Sequence, residues 1–430
     1  MSDDAVSLIA RLRRIGPAIV VAAVVLGPGS IVSASKVGCE FGLELLWVVP
    51  LAGALMIAMT TASMIIGATC EKTLCQSVAD SFGRPAACAV GAALLIAITL
   101  FQASNNNALL MAAEGFLSDE NGRGQDLGLS SLARTAVLLL VNLGVIALLL
   151  LGKRNLYRYI ERSMAVLVGL MVLAFGMTMI VAGPSLLEIV WGFVPSFPVG
   201  TDGESGAPAG TSWMSVGALM ATTFSVAGAF YQAYQVREKG WTPQDLRVGV
   251  TDSIVGIGTL AAVTSMILIT AAAALHGKVQ ASELTDAAAV AVSLEPLFGS
   301  SAKFVFAAGV LAGAVSSFVV NALIGGVVFS DAIGLGSRFS SLSVRVTTIV
   351  ALLLGWFVAS LVTFAEIDLV SFIVIAQALT VLAFPILALV ILWQLHRVDP
   401  ALVPKWVKPL CWTGMVVVVA LSVRTVSRLI

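Results

Sequence analysis

Residues 24–35 read VVLGPGSIVSAS, and their reading decides the fold. They lie inside an apolar run, 17–38, that is long enough to cross the ~30 Å hydrocarbon layer of a bilayer, yet they place Gly27, Pro28 and Gly29 where a spanning helix is most regular. Pro28 has no N–H to donate and glycine weakens a helix interior. The stretch therefore predicts a helix broken at 27–30, with two open ends in the apolar layer. In lipid each freed carbonyl or amide costs several kcal/mol unless something satisfies it. A bound solute is one such partner: freed carbonyls suit a cation and freed amides suit an anion.

Composition supports the membrane setting. Hydrophobic residues make up 59% of the 430, charged residues 11%, and the mean hydropathy is +1.01, outside the range of a soluble globular chain. Apolar runs fall at 17–38, 43–67, 88–113, 130–152, 161–183, 213–236, 249–275, 302–329, 344–364, 369–395 and 407–428, which predicts eleven transmembrane helices. Their length and lack of alternation exclude a β-barrel. Arg11, Arg13 and Arg14 before the first run and Ser33-Ala34-Ser35 near its end imitate a signal peptide, but the run is too long for one and further spans follow. The net charge of zero conceals an asymmetry, because most of the 24 Lys/Arg fall on the side of Arg11, Lys72, Arg154 and Arg237. The positive-inside rule then puts the N-terminus in the cytoplasm and the C-terminus outside a bacterial-type plasma membrane. Cys39, Cys70, Cys75, Cys88 and Cys411 form no CxxC pair and read as small apolar residues.

The chain divides into two comparable halves. A stretch rich in Gly, Pro and Ser, 184–212, has no Lys or Arg and reads as an external loop between repeat one, 15–183, and repeat two, 213–396; helix 407–428 is extra. The sixth run passes through ATTFSVAGAFYQAY (221–234), where Ser225, Ala227, Gly228 and Ala229 form a patch of small residues. Weak points at matching places in two five-helix halves are the signature of an inverted-repeat secondary transporter, since an odd number of spans per half reverses the second copy. The competing reading is packing, because small residues let membrane helices approach closely and the sixth run has no proline.

The polar residues within reach of the breaks are all neutral. They are Ser30; Gln102 and Asn105–Asn107 in FQASNNNALL (101–110); Thr222, Thr223, Ser225 and Tyr231; Asn321; and Gln377. Gly27, Ser30, Gln102, Asn105, Asn106, Thr222, Ser225, Gly228 and Gln377 form the expected substrate-binding set. Successive helical positions differ by about 100°, so the three asparagines cannot all face one site. A carboxylate is the usual counter-charge for partly dehydrated Mg2+ or Mn2+. Without one, no direct metal ligand is expected, and an ion keeps most of its water while Ser30, Asn105 and Gln377 touch the hydration shell. Glu40, Glu44, Glu114, Glu366 and Asp368 at one edge, and Asp252 and Asp331 at the other, read as solvated helix ends. Asp252 reads alternatively as a partner for a helix N-terminus. His276 and His396 lie in or beside loops. No nucleophile–base pair, metal-ligand cluster or phosphate loop is present, so enzyme activity, a resident cofactor, a nucleic-acid partner and an obligate protein partner are not expected.

The stretches GPAIVVAAVVLGPGSIVSASKVGCEFGLELLWVV (16–49), LYRYIERSMAVLVGLMVLAF (156–175), VLAGAVSSFVVNALIGGVVFSDAIGLG (310–336) and SFIVIAQALTVLAFPI (371–386) together resemble the Nramp family of divalent-metal transporters. The resemblance implies an all-α integral membrane protein with the LeuT-like fold: eleven helices, two inverted five-helix repeats, and unwound segments in helices 1 and 6. The family's Asp-Pro-Gly-Asn of helix 1 corresponds to Gly27-Pro28-Gly29-Ser30, and its Met-Pro-His-Asn of helix 6 to Ser225-Val226-Ala227-Gly228. Gln102 stands for an acidic residue of helix 3, Gln232 for a second histidine of helix 6, and Gln377 keeps the helix 10 glutamine. These departures imply a wider, neutral site that is indifferent to soft metals and uncoupled from protons, closest to Nramp-related proteins described as magnesium transporters. The function implied is uptake of a largely hydrated divalent cation, Mg2+ or Mn2+, by alternating access. The alternatives are a neutral or zwitterionic organic solute or a small anion on the same scaffold, and a receptor that no longer transports.

Overall fold

The computed structural model describes residues 16–116, 130–151, 156–196, 217, 219–280, 284, 287–365 and 379–429. The break read from the sequence is present. Helix α1 (Pro17–Val25) and helix α2 (Pro28–Phe41) meet at a 61° bend, with Leu26 and Gly27 non-helical between them. Pro28 opens α2 at a position where a missing N–H costs nothing. Beyond follow α3 (Val48–Thr69), the short α4 (Leu74–Phe82), α5 (Arg84–Phe116), α6 (Ser131–Leu151), α7 (Leu156–Ala182) and α8 (Leu186–Gly192).

The sixth apolar run also breaks, without a proline. Residues 219–223 are helical, Phe224 and Ser225 are not, and α9 (Val226–Lys239) then begins. Ser225 caps α9, its hydroxyl accepting from Gly228 N at 3.3 Å, and Gly240 closes it in the left-handed region at φ +76°. The chain continues through α10 (Leu246–Leu275), α11 (Ala287–Ala332), α12 (Leu342–Phe364), α13 (Phe384–Leu395) and α14 (Val407–Leu429). Helix occupies described parts of all eleven predicted runs. Among the described residues, seven helices and the bent α1/α2 pair are long and apolar enough to cross a membrane. The fourth and tenth runs appear as the shorter apolar helices Ser131–Ala147 and Val381–Leu395, and the sixth as two pieces.

Helix α1 is the centre of the packing, with every residue but Ile19 buried among α7, α9, α10 and α11. Its apolar sequence has no polar stripe because no face of it meets solvent. A Cβ at Gly256 would stand 2.7 Å from Ala18 Cβ, so glycine is what lets α10 cross α1 this closely.

That crossing corrects one expectation. Asp252 is not a solvated helix end; it is buried in the second turn of α10, and its Oδ1 and Oδ2 accept from Gly16 N at 2.8 Å and Ala18 N at 2.9 Å. It serves the N-terminus of α1, not its own helix, neutralising the positive end of that dipole. Asp331 is likewise buried and not solvated. Tyr234 Oη donates to it at 2.9 Å, Thr73 Oγ1 at 2.5 Å and Gln76 Nε2 at 3.2 Å, tying α4, α9 and α11 together. The five cysteines are free thiols, and burial pushes the Cys75 thiol up to about 12.

Candidate functional site

The two breaks lie against each other. Ser30 Oγ, in the first turn of α2, donates to the carbonyl of Val25 at the end of α1 and lies 3.3 Å from the carbonyl of Thr222 at the other break. One hydroxyl thus sits between two backbone carbonyls at the broken helix ends.

Around this point is a cavity of about 40 Å³, bounded by Val24, Val25, Gly27, Gly29 and Ser30 of the first break and Ala221, Thr222 and Ser225 of the second. Phe101, Ser104 and Asn105 of α5, Ser317 and Asn321 of α11, and Thr380 complete the wall. The cavity has room for a few waters. Among the described residues, none in the wall carries formal charge. Metal-ligating groups of three or more His, Cys, Asp or Glu do not occur among the described residues.

The side-chain amides in the wall are turned toward Ser317. Asn105 Nδ2 donates to Ser317 Oγ at 3.2 Å and to Gln102 Oε1 at 3.3 Å, and Asn321 Nδ2 donates to Ser317 Oγ at 3.0 Å. Asn105 Oδ1 and Asn321 Oδ1 are left without a donor among the described residues. An asparagine carries both donor and acceptor groups, and fixing the N–H side on Ser317 presents the oxygens. Several amides at the helix starts are accounted for. Pro28 has no N–H, Ser30 N and Ile31 N both bond the Gly27 carbonyl, and Gly228 N is held by Ser225. The cavity is an acceptor-rich, neutral pocket.

Of the expected binding set, Gly27, Ser30, Asn105, Thr222 and Ser225 reach this wall. Gln102 and Asn106 do not. Gln102 supports Asn105 from behind, and Asn106 is committed to the Gln102 carbonyl at 2.8 Å and to Asn142 Nδ2 at 2.7 Å. Gly228 faces α1, where a Cβ would lie 3.0 Å from Val21 Cγ1. Gln377 lies outside the described residues. Ser317 was missed, although its position one helical turn before Asn321 was a usable signal. Thr380, one helical turn after Gln377 in the sequence, and Ser104, beside Asn105, were also missed.

Comparison with known proteins agrees with this architecture. The family model described as natural resistance-associated macrophage protein-like, Nramp, matches residues 18–428. The divalent metal cation transporter MntH of Klebsiella pneumoniae is 26% identical over 96% of this chain and 93% of its own length. That of Aeromonas hydrophila is 27% identical over 74% of this chain and 73% of its own. A histidine-to-alanine variant of the Eremococcus coleocola manganese transporter superposes with a TM-score of 0.76 at 18% identity, covering 96% of this chain and 86% of that one. A second structure of that transporter, with an aromatic bis-isothiourea compound, gives 0.75 at 17% identity over the same shares. With a match running through both broken spans and nearly to the last residue, the chain belongs to the Nramp family.

Proposed function

We propose that this protein is an alternating-access carrier for a divalent metal cation, Mn2+ or Mg2+, that it works without proton coupling, and that the cavity at the two breaks is its binding site. The observation that carries the reading is the polarity of the wall. Asn105 Oδ1, Asn321 Oδ1 and the carbonyls of Val25 and Thr222 are acceptors, while the Nδ2 groups of both asparagines are turned to Ser317. An acceptor-lined pocket favours a cation over an anion or a carboxylate-bearing solute.

The space sets the hydration state. With room for only a few waters, the ion exchanges part of its octahedral shell for these oxygens and retains the rest. This is drier than the largely hydrated ion expected from the sequence. The Ser30 hydroxyl stands between the two carbonyls and must rotate aside when the ion enters. With no wall residue that titrates, no proton is bound or released at the site, and an inside-negative potential supplies ~4.6 kcal/mol per divalent ion for each 100 mV. We further take the chain as two inverted five-helix repeats, 15–183 and 213–396, with the N-terminus cytoplasmic as the Lys/Arg distribution indicates.

The test is flux in proteoliposomes. Mn2+ or Mg2+ entry should rise with an inside-negative potential, leave internal pH unchanged, and fall at least about fivefold in Asn105→Leu. Indifference to both ions, or acidification that tracks uptake, would sink the reading.

A further inference from the structure

A larger cavity lies away from the breaks, and the carrier reading makes no use of it. It holds about 470 Å³, against about 40 Å³ at the breaks, and falls within the roughly 300–1,000 Å³ of small-molecule sites. Its wall comes from three places: Phe41 and Glu44 at the end of α2, Glu188 and Trp191 of α8 with Ser196 beyond it, and His276 at the end of α10. On the proposed orientation this is the external face.

The wall is fixed in place. A Cβ on Gly192 would stand 2.8 Å from the Leu43 carbonyl oxygen, so α8 is pressed onto the chain that follows α2. Trp47 Nε1 donates to the Ser196 carbonyl at 2.9 Å, and Ser196 Oγ donates to the Glu44 carbonyl at 3.0 Å. His276 Nδ1 lies 2.8 Å from the Cys39 carbonyl. A carbonyl only accepts, so Nδ1 carries the proton and Nε2 of the neutral ring is left as an acceptor.

The chemistry of the wall is one-sided. Among the described residues it has no Lys or Arg, the Ser196 hydroxyl is spent on a backbone carbonyl, and neither Glu44 nor Glu188 has a cationic partner. Two carboxylates and an imidazole lone pair beside the rings of Trp191 and Phe41 suit a cation. A bare metal ion is a poor occupant. It needs ligands converging at about 2.0–2.6 Å, and the two glutamates and His276 form no metal-holding group among the described residues. An organic cation can spread its contacts over separated carboxylates and an aromatic face within about 6 Å.

We propose that this cavity binds a small organic cation, an ammonium group with short alkyl substituents, held by Glu44 and Glu188 with Trp191 against its face. The inference goes beyond the carrier reading and does not depend on it. Two sources carry that group. One is a free amine, and the other is the ethanolamine or choline headgroup of an outer-leaflet lipid, whose chains would run over Leu186, Leu187 and Val190, all exposed on α8.

The test titrates the purified full chain with ethanolamine and with choline by calorimetry, with sodium chloride at equal ionic strength as reference. Saturable binding of at least one is expected, weakened at least about tenfold by Glu44→Gln with Glu188→Gln. Trp191→Leu should weaken it about threefold and Trp191→Phe less, since a phenyl ring keeps the aromatic face. If the double variant does not fold, Glu188→Gln alone, at an exposed position, should weaken it about threefold. No saturable heat, or unchanged affinity in a folded glutamate variant, overturns the site. Displacement of the bound amine by equimolar Mn2+ overturns the organic-cation assignment in favour of a metal. Nanodiscs separate the sources. Free ethanolamine that binds in phosphatidylglycerol discs but not in phosphatidylethanolamine discs assigns the site to the lipid headgroup, and binding in both assigns it to a free amine. Binding in neither overturns the site in its membrane setting.

Discussion

Where α1 ends and α9 begins, every described polar group around the cavity is neutral, whereas away from the cavity the same two helices meet the ionisable side chains of Asp252, Asp331, Glu161 and Lys239 inside the fold. The charged layer is saturated with partners. Asp252 accepts from two backbone amides of α1's first turn, Asp331 from three side chains on α4, α9 and the residue before α4, and Glu161 from Lys239. The neutral layer keeps acceptors in reserve at Asn105 Oδ1 and Asn321 Oδ1. Charge buried with enough donors holds helices in place, because moving it uncovers an unpaired ion. Dipoles with spare lone pairs hold a ligand loosely enough to release it. On the proposed reading, these carboxylates belong to the framework, and the cargo meets oxygens of amides, hydroxyls and the backbone among the described residues.

Three changes probe that division, the largest effect first. Asp252→Ala strands the amides of Gly16 and Ala18, so it should cost about 2–4 kcal/mol of stability and lower the unfolding temperature in detergent. An unchanged melting curve would show that the charged layer is not structural. Adding charge to the neutral layer tests the opposite side. Gly27→Asp alone brings a Cβ to 2.7 Å from Ser317 Oγ and should destabilise, but combined with Ser317→Ala it should tighten Mn2+ binding about tenfold, or about 1.4 kcal/mol, by calorimetry. No gain in a folded double variant would move the pocket away from Gly27. The smallest effect belongs to Ser317→Ala by itself. It releases the Nδ2 groups of Asn105 and Asn321, so donors compete for the cavity and Mn2+ affinity should drop about two- to threefold. Tighter binding would mean that the asparagine oxygens are not the ligands.

The second break illustrates what could and could not be read in advance. Gly27-Pro28 announced the first break by itself, since a proline removes a backbone donor in any setting. At the second, the sequence offered only small residues, and the opening lies at Phe224–Ser225, at the first residue of the patch, where Ser225 supplies the cap of α9. The asparagine triad was legible as a conflict: successive positions cannot share a face. Only packing assigned Asn105 to the cavity, Asn106 to Asn142 and Asn107 to a buried position without partners. Asp252 was misread because its partners are 234 and 236 residues away, beyond the reach of any local pattern.

Sequence by itself determined the apolar spans, the interruption at Gly27-Pro28 and the absence of formal charge near it, because hydropathy, a missing amide N–H and side-chain ionisation are properties of residues wherever they lie. The tertiary structure alone decided which neutral groups face the cavity and which way their amides point. It also decided that Ser317 binds both asparagine donors and that two buried carboxylates serve other helices. Those outcomes depend on how α1, α9, α10 and α11 cross, and a crossing is settled by contacts between residues that sequence separation keeps far apart.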